Sequence, residues 1–232
     1  MNTINRTARL TGLLYFIQLP LSVFAILYTP SLFVPEDTLA TVSNILTAET
    51  VFRLSIGAAL VVQVSHLVIA LLLFRILSPV NRTAGVYMVV FMAVSVPITM
   101  LNELTNIAIL VLANAPSFLS AFSSEQLGNL VLFLHTLHEQ GILIAQIFWG
   151  LWLFPMGYLI IRSDFVPKLL GYITLVVGAS YLLDCFTWIL LPGFSFSFAG
   201  VLGFFEILFP LWLLIRGVDA EKWEAQRAAP VV

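Results

Sequence analysis

The sequence predicts an all-α integral membrane protein, a bundle of six transmembrane helices with both termini on the cytoplasmic side. Hydrophobic residues make up 60% of the 232-residue chain and charged residues only 9%, whereas about 25% of the residues in a soluble domain are charged. The apolar residues also gather in long runs. A run of about twenty crosses the hydrocarbon core of about 30 Å at about 1.5 Å per helical residue. A soluble fold of this size could not cover its surface with so few charges.

Six apolar runs predict the spans, at about residues 8–28, 52–76, 84–113, 127–162, 169–191 and 197–215. The first run follows Arg6 and Arg9 as in a signal peptide, but its length and the missing cleavage motif predict a retained helix. After it we expect a short outer helix that begins near Thr47. The fourth helix is predicted to be long, because uncharged residues continue through 141–161 after a polar start. Residues 1–217 are thus predicted to form a single six-helix transmembrane domain.

The tail and the basic residues complete the predicted topology. Residues 218–232 mix both signs of charge, and we expect a cytoplasmic tail without regular structure. With the N-terminus inside, nine of the ten basic residues fall on the cytoplasmic side and only Arg53 falls outside. Such a bias follows the positive-inside rule. It predicts a multi-pass protein of the bacterial cytoplasmic (inner) membrane, surrounded by the lipid bilayer.

Ionisable side chains within the spans suggest a pocket, since such residues usually face a bundle interior or a wet cavity. Helical rise from the basic inner ends places His66 and Glu206 near the midplane and Asp184 farther out. Glu103 and His138 fall near the outer boundary. We therefore expect a polar pocket that opens to the outside, provided that the polar stripes of the helices converge. Its candidate residues are Arg53, His66, Glu103, His138, Glu139, Asp184 and Glu206.

A metal site is an alternative interpretation of the same residues. His135 and His138 are three residues apart on a predicted helix and could share a divalent metal such as zinc. Glu103, Asp184 or Glu206 would supply a third ligand, and Glu139 would act as the base for the metal-bound water. The spacing differs from the H-E-x-x-H pattern of zincins. The lone Cys185 is expected to be a small buried hydrophobic residue.

Several segments together resemble a known family over nearly the whole chain. They are AETVFR (48–53), LHEQG (137–141), FWGLWLFPMGYLIIRS (148–163), FVPKLLG (165–171), SYLLD (180–184) and the stretch from Glu206 through LWLLIRG (211–217). In these segments the chain resembles the uncharacterised bacterial membrane-protein family catalogued as domain of unknown function 4386. The resemblance implies a shared topology, and it implies that Arg53, His138, Asp184 and Glu206 belong to the family's common pattern.

Three functions remain open at this point. The first is binding or transport of a small solute, ion or lipid head group that enters from the outer side. The second is a membrane-embedded, metal-dependent hydrolase of lipids or amides. The third is a structural or partner-binding role, in which the polar residues only hydrogen-bond between helices. Nucleic acid is excluded as a partner, because the sequence has no basic stripe that would bind it.

Overall fold

The computed structural model describes residues 3–228, and these are almost entirely helical. The α-helices are α1 (Thr3–Tyr28), α2 (Thr38–Thr47), α3 (Glu49–Leu77), α4 (Arg82–Ala113), α5 (Ser124–Arg162), α6 (Lys168–Leu190), α7 (Phe198–Leu202), α8 (Leu208–Ile215) and α9 (Ala220–Ala228). Short 3-10 segments cover Pro30–Leu32, Ser117–Leu119 and Gly203–Ile207.

Six stretches in this part of the chain are long and apolar enough to cross a membrane, which confirms the predicted fold class. Five of them begin with or coincide with α1, α3, α4, α5 and α6, and the sixth is Phe198–Ile215. The fourth stretch, α5, is 39 residues long, as predicted. Large apolar side chains cover the surface, among them Phe204 at 78% exposure and Leu190 at 69%. A bilayer solvates such side chains and water does not, so the chain is a multi-pass membrane protein.

The chain divides into two compact units. The first unit comprises Met1–Ile17, Ser65–Val96 and Leu143–Val232, and the second comprises Gln18–Val64 and Pro97–Ile142. The second unit has an apolar core of its own around Phe33, Ile45, Phe52 and Ile109.

Helix α2 lies in this second unit, and its predicted position was wrong. We expected a short helix that begins near Thr47, but α2 ends there. It begins at Thr38 because the Asp37 carboxylate accepts a hydrogen bond from the Ala40 amide at 2.8 Å, an N-cap that satisfies one free amide of the first turn. Thr41 and Ile45 form its buried face.

Glycines allow the helices of the first unit to approach closely. A Cβ atom added at Gly150 would lie 2.7 Å from the carbonyl oxygen of Gly178, and one added at Gly171 would lie 2.7 Å from that of Gly157. Helices α5 and α6 therefore pack backbone against backbone at two levels, as small residues permit in membrane helices.

The tail is helical, contrary to the expectation of an irregular segment. The Asp219 carboxylate accepts a hydrogen bond from the Lys222 amide at 3.2 Å and so caps α9. Trp223 is buried, and its indole nitrogen donates to the Ile76 carbonyl oxygen at the end of α3 at 2.8 Å. The last four residues, which the tail prediction also covered, lie outside the described part of the chain.

The sixth span is not one continuous α-helix. A 3-10 segment, Gly203–Ile207, separates α7 from α8. Pro210 accounts for part of this break, because a proline has no amide hydrogen and cannot donate to the carbonyl of residue 206. Glu206 therefore lies where the helical hydrogen bonding of the last span is interrupted.

Candidate functional site

The carboxylate of Glu206 is the centre of the candidate site, in the first unit. Its Oε1 accepts a hydrogen bond from the Tyr15 hydroxyl at 2.5 Å, and its Oε2 accepts one from the Tyr181 hydroxyl at 3.0 Å. Three helical segments thus meet at one carboxylate: α1, α6 and the 3-10 break. Among the described residues, no lysine, arginine or histidine forms an ion pair with Glu206.

Gly12 positions Tyr15. A Cβ atom added at Gly12 would lie 2.5 Å from both the Pro210 oxygen and the Leu214 nitrogen, so α1 touches the backbone of α8 there. Tyr15 follows Gly12 by about one turn, and Glu206 precedes Pro210 by about one turn. The contact at the glycine therefore brings the phenol of α1 to the carboxylate of the last span.

Gly178 positions Tyr181, which follows it by about one turn on α6. The close approach of Gly178 to Gly150 sets the ring of Trp149 against that of Tyr181, with centroids 6.3 Å apart in an edge-on arrangement. On the other side, Tyr15 stacks on Trp152 at 6.4 Å. Two indole rings of α5 consequently pack against the two phenols.

Two buried polar atoms on the part of α5 that belongs to the first unit have no hydrogen-bond partner among the described residues. They are the indole nitrogen of Trp149, a donor, and the side-chain oxygen of Gln146, an acceptor. Unpaired polar groups away from water are costly, and in native proteins each calls for an explanation. A bound solute with both a donor and an acceptor would satisfy them.

Asp184, a predicted pocket residue and metal ligand, has a different set of partners. Its Oδ1 accepts from the Phe198 amide at 2.6 Å. Its Oδ2 accepts from the Ser197 hydroxyl at 2.6 Å and the Ala199 amide at 3.1 Å. The carboxylate of α6 thus binds the free amides at the start of α7. This arrangement serves the architecture of the last span.

His138 is held within the second unit. Its Nδ1 lies 3.0 Å from the Thr105 hydroxyl and 3.3 Å from the Asn102 carbonyl oxygen, while the Asn102 amide group donates to the His138 carbonyl oxygen at 2.9 Å. The Thr105 hydroxyl itself donates to the Asn102 carbonyl at 2.6 Å. Gly141 leaves room for the Asn102 side chain, which would clash with any larger residue. These bonds link α4 to α5.

The other predicted residues of the second unit have partners nearby in sequence. Glu103 is buried and accepts from the Asn106 side chain at 2.9 Å. Arg53 pairs with Glu49 at 2.6 Å and lines a cavity of about 570 Å³.

Two histidines remain, His135 and His66. The ring of His135 stacks on that of Phe33 at 3.6 Å, and its Nε2 lies 3.7 Å from the exposed carboxylate of Glu139. His66, in the first unit, is half-buried on α3.

The predicted metal ligands receive no support from this geometry. Nowhere in residues 3–228 do three or more His, Cys, Asp or Glu side chains gather in a way that could hold a metal ion. Cys185 is fully buried, as expected for a small hydrophobic side chain.

Sequence reasoning missed Tyr15, Tyr181 and Trp149 as members of a site. One signal was present. In both Gly12–Tyr15 and Gly178–Tyr181 a glycine precedes a tyrosine by three residues, which puts a point of close helix approach beside a hydroxyl on the same helix face.

Comparisons with known proteins place the chain in a family. The profile of the family described as Domain of unknown function (DUF4386) matches residues 10–217. A protein of Archaeoglobus fulgidus described as "Uncharacterized protein" is 24% identical over 156 residues, which are 65% of this chain and 93% of that protein. No solved structure matches the chain significantly. Since the profile covers most of the sequence, the chain belongs to the family Domain of unknown function (DUF4386).

Proposed function

We propose that this protein binds a small organic cation at Glu206 within the membrane, and that a proton replaces the cation when the cation leaves. The observation that supports this proposal is the carboxylate itself. It lies in the break of a membrane span, and its only hydrogen-bond donors given by the described residues are two phenols.

The charge of Glu206 is what requires a partner. An ionised carboxylate removed from water is costly unless an opposite charge compensates it. Two hydroxyl donors lower that cost but leave the net charge in place. A proton or a cation is therefore the missing component, and a site that accepts either one is the basis of an exchange cycle.

The surrounding rings favour an organic cation over a metal ion. Tyr15, Tyr181, Trp149 and Trp152 pack around the site, and aromatic faces attract ammonium groups. The unpaired oxygen of Gln146 would accept from an ammonium hydrogen, and the unpaired indole hydrogen of Trp149 would donate to an oxygen of the solute. A small amino alcohol combines these features, so ethanolamine is the simplest probe.

The interrupted sixth span supports movement of the solute. Broken helices in membrane proteins often carry binding sites and hinge between states, and here Gly203 begins the break while Pro210 follows it. We propose entry from the outer side, through an outward-facing pocket, and residence in the cytoplasmic membrane of the cell. The relative from Archaeoglobus fulgidus is archaeal, so the proposal is not restricted to bacteria.

A binding experiment on the full chain tests the proposal. The protein is purified in an uncharged detergent, and its thermal midpoint is measured against ethanolamine, ethylammonium and sodium at constant ionic strength. Because a ligand that binds only the folded state stabilises it by RT ln(1 + [L]/Kd), we expect the midpoint to rise with ethanolamine most and with sodium least.

Glu206→Gln is the decisive variant, and Glu103→Gln is its matched control, since Glu103 is also a glutamate within a membrane span. We expect the ethanolamine response to disappear in the first variant and to persist in the second. An equal response in wild type and Glu206→Gln would refute the proposal. Infrared difference spectra should show a protonated carboxyl in the wild type that ethanolamine removes.

A further inference from the structure

A second cavity, whose lining does not include Glu206, has the chemistry of an anion site. We infer that the side chains of Arg75 and Arg227 together bind a phosphate group, either the phosphodiester of an anionic lipid or free phosphate. The cavity has a volume of about 460 Å³, and the docked C-terminal helix α9 forms one of its walls.

The cavity lies in the first unit, beside the start of α1 and the end of α3. The first turns of α1 contribute Thr3 and Thr7, and the turn after α3 contributes Ser78. Arg75 belongs to the last turn of α3, a stretch that can cross the membrane. A span end lies at the level of the lipid head groups, where arginines attract anionic lipids.

The ionisable groups that face the cavity favour an anion. Arg75 is exposed and has no ion-pair partner in the described part of the chain. Arg227 has one acidic neighbour, Glu224, at 3.8 Å, and both of them line the cavity. The lining therefore contains two arginines and one glutamate, which leaves one net positive charge for a ligand. A guanidinium matches the oxygens of a phosphate with two parallel hydrogen bonds.

Trp223 holds this arrangement in place. Its buried indole donates to the Ile76 carbonyl, directly after Arg75 in the chain. The guanidinium of Arg227 lies 5.4 Å from the centre of the Trp223 ring. This cation–π contact holds the Arg227 side chain against α9. The packing of α9 thus brings Arg227 to the cavity that Arg75 also lines. Hydroxyls of Thr3, Thr7 and Ser78 are further donors in the lining.

Three probes distinguish the source of the phosphate. The thermal midpoint of the full chain in uncharged detergent is measured with dihexanoyl-phosphatidylglycerol, with dihexanoyl-phosphatidylcholine and with sodium phosphate against sodium chloride at equal ionic strength. Stabilisation by the glycerol lipid above that by the choline lipid identifies an anionic lipid. Stabilisation by sodium phosphate alone identifies the free ion.

The double variant Arg75→Gln with Arg227→Gln tests whether the cavity is responsible. Both side chains are exposed, so the variant should fold. The matched control is Arg82→Gln with Arg162→Gln, which removes two exposed arginines that do not line the cavity.

We expect the apparent dissociation constant of the stabilising anion to rise about tenfold or more in the cavity variant, since charge-assisted phosphate contacts are lost, and to change less than about twofold in the control. Equal weakening in both variants, or no stabilisation of the wild type by any anion, would overturn the inference.

Discussion

Asp184 and Glu206 are both acidic residues of membrane spans in the first unit, but they receive different hydrogen bonds. The carboxylate of Asp184 accepts from two backbone amides and a serine hydroxyl at the start of α7. The carboxylate of Glu206 accepts from two tyrosine hydroxyls. Backbone amides at a helix start carry partial positive charge and stabilise an anion directly, whereas phenols supply only neutral donors.

We propose that the difference separates a structural carboxylate, Asp184, from one that binds a ligand, Glu206. Asp184 has its donors within the fold, so its charge needs no additional partner. Among the described residues Glu206 has only two phenols as donors, and the ring of one of them, Tyr181, packs against Trp149, whose indole nitrogen is unpaired. Removal of the first should therefore damage the fold, while removal of the charge of the second should damage binding.

The largest effect is expected for Asp184→Ala. This change removes three hydrogen bonds to a buried carboxylate and leaves two helix-start amides without acceptors, so the free energy of unfolding should fall by about 2–4 kcal/mol. Unfolding by SDS in mixed micelles measures it. Asp164→Ala, at an exposed aspartate, is the control and should stay near wild type. A stable Asp184→Ala protein would remove the contrast between the two carboxylates.

Gly12→Ala should have the next largest effect. The added methyl group would lie 2.5 Å from the Pro210 oxygen and the Leu214 nitrogen, both backbone atoms, so the helices must separate. We expect a loss of about 1–3 kcal/mol and a weaker ethanolamine response, because Tyr15 moves away from Glu206. Gly57→Ala is the matched control, since nothing lies within 4 Å of its added Cβ atom. That variant should be neutral or more stable.

Tyr15→Phe and Tyr181→Phe should each cost about 1–2 kcal/mol, because each removes one donor to the Glu206 carboxylate. The informative measurement is a double-mutant cycle with Glu206→Ala. In that background the loss of either hydroxyl should cost much less, since its acceptor is gone. Equal costs in both backgrounds would show that the phenols do not act through Glu206.

The smallest effect is expected for Ser197→Ala. The hydroxyl donates to Asp184 and accepts from the Gly200 amide at 2.9 Å, so it caps α7 as well as joining the Asp184 cluster. The residue is exposed, and cap substitutions cost about 0.5–1 kcal/mol in such settings. Chemical unfolding measures it beside Asp184→Ala. A cost as large as that of Asp184→Ala would assign the stabilisation to the hydroxyl instead of the two backbone amides.

The six spans could be predicted because apolarity is a local property that accumulates along a run of residues. The break at Glu206 could not, since it depends on which backbone bonds the last span keeps. Pro210 was visible in the sequence, but a proline within a membrane helix is often tolerated. The two tyrosine partners lie 191 and 25 residues from Glu206, and no short-range pattern connects them.

Hydroxyl residues within the membrane spans show a second limit. Ser180 donates to the Val177 carbonyl and Thr187 to the Leu183 carbonyl, both on their own helix. Such residues satisfy themselves locally, so a stripe of them does not require a facing partner. The helix in the tail was missed although the sequence contains a signal for it. The prediction rested on the mixed charges of the tail, whereas Asp219 followed by Ala, Glu and Lys is a helix-start signal.

The partners of Asp184 have a consequence for biosynthesis. All three donors follow it by 13 to 15 residues, so they leave the ribosome only after Asp184 has left it. An unpaired aspartate raises the cost of inserting a span by up to about 3.5 kcal/mol at its centre. We therefore expect the insertion machinery to retain α6 until α7 emerges, and the two segments to enter the bilayer as one hairpin.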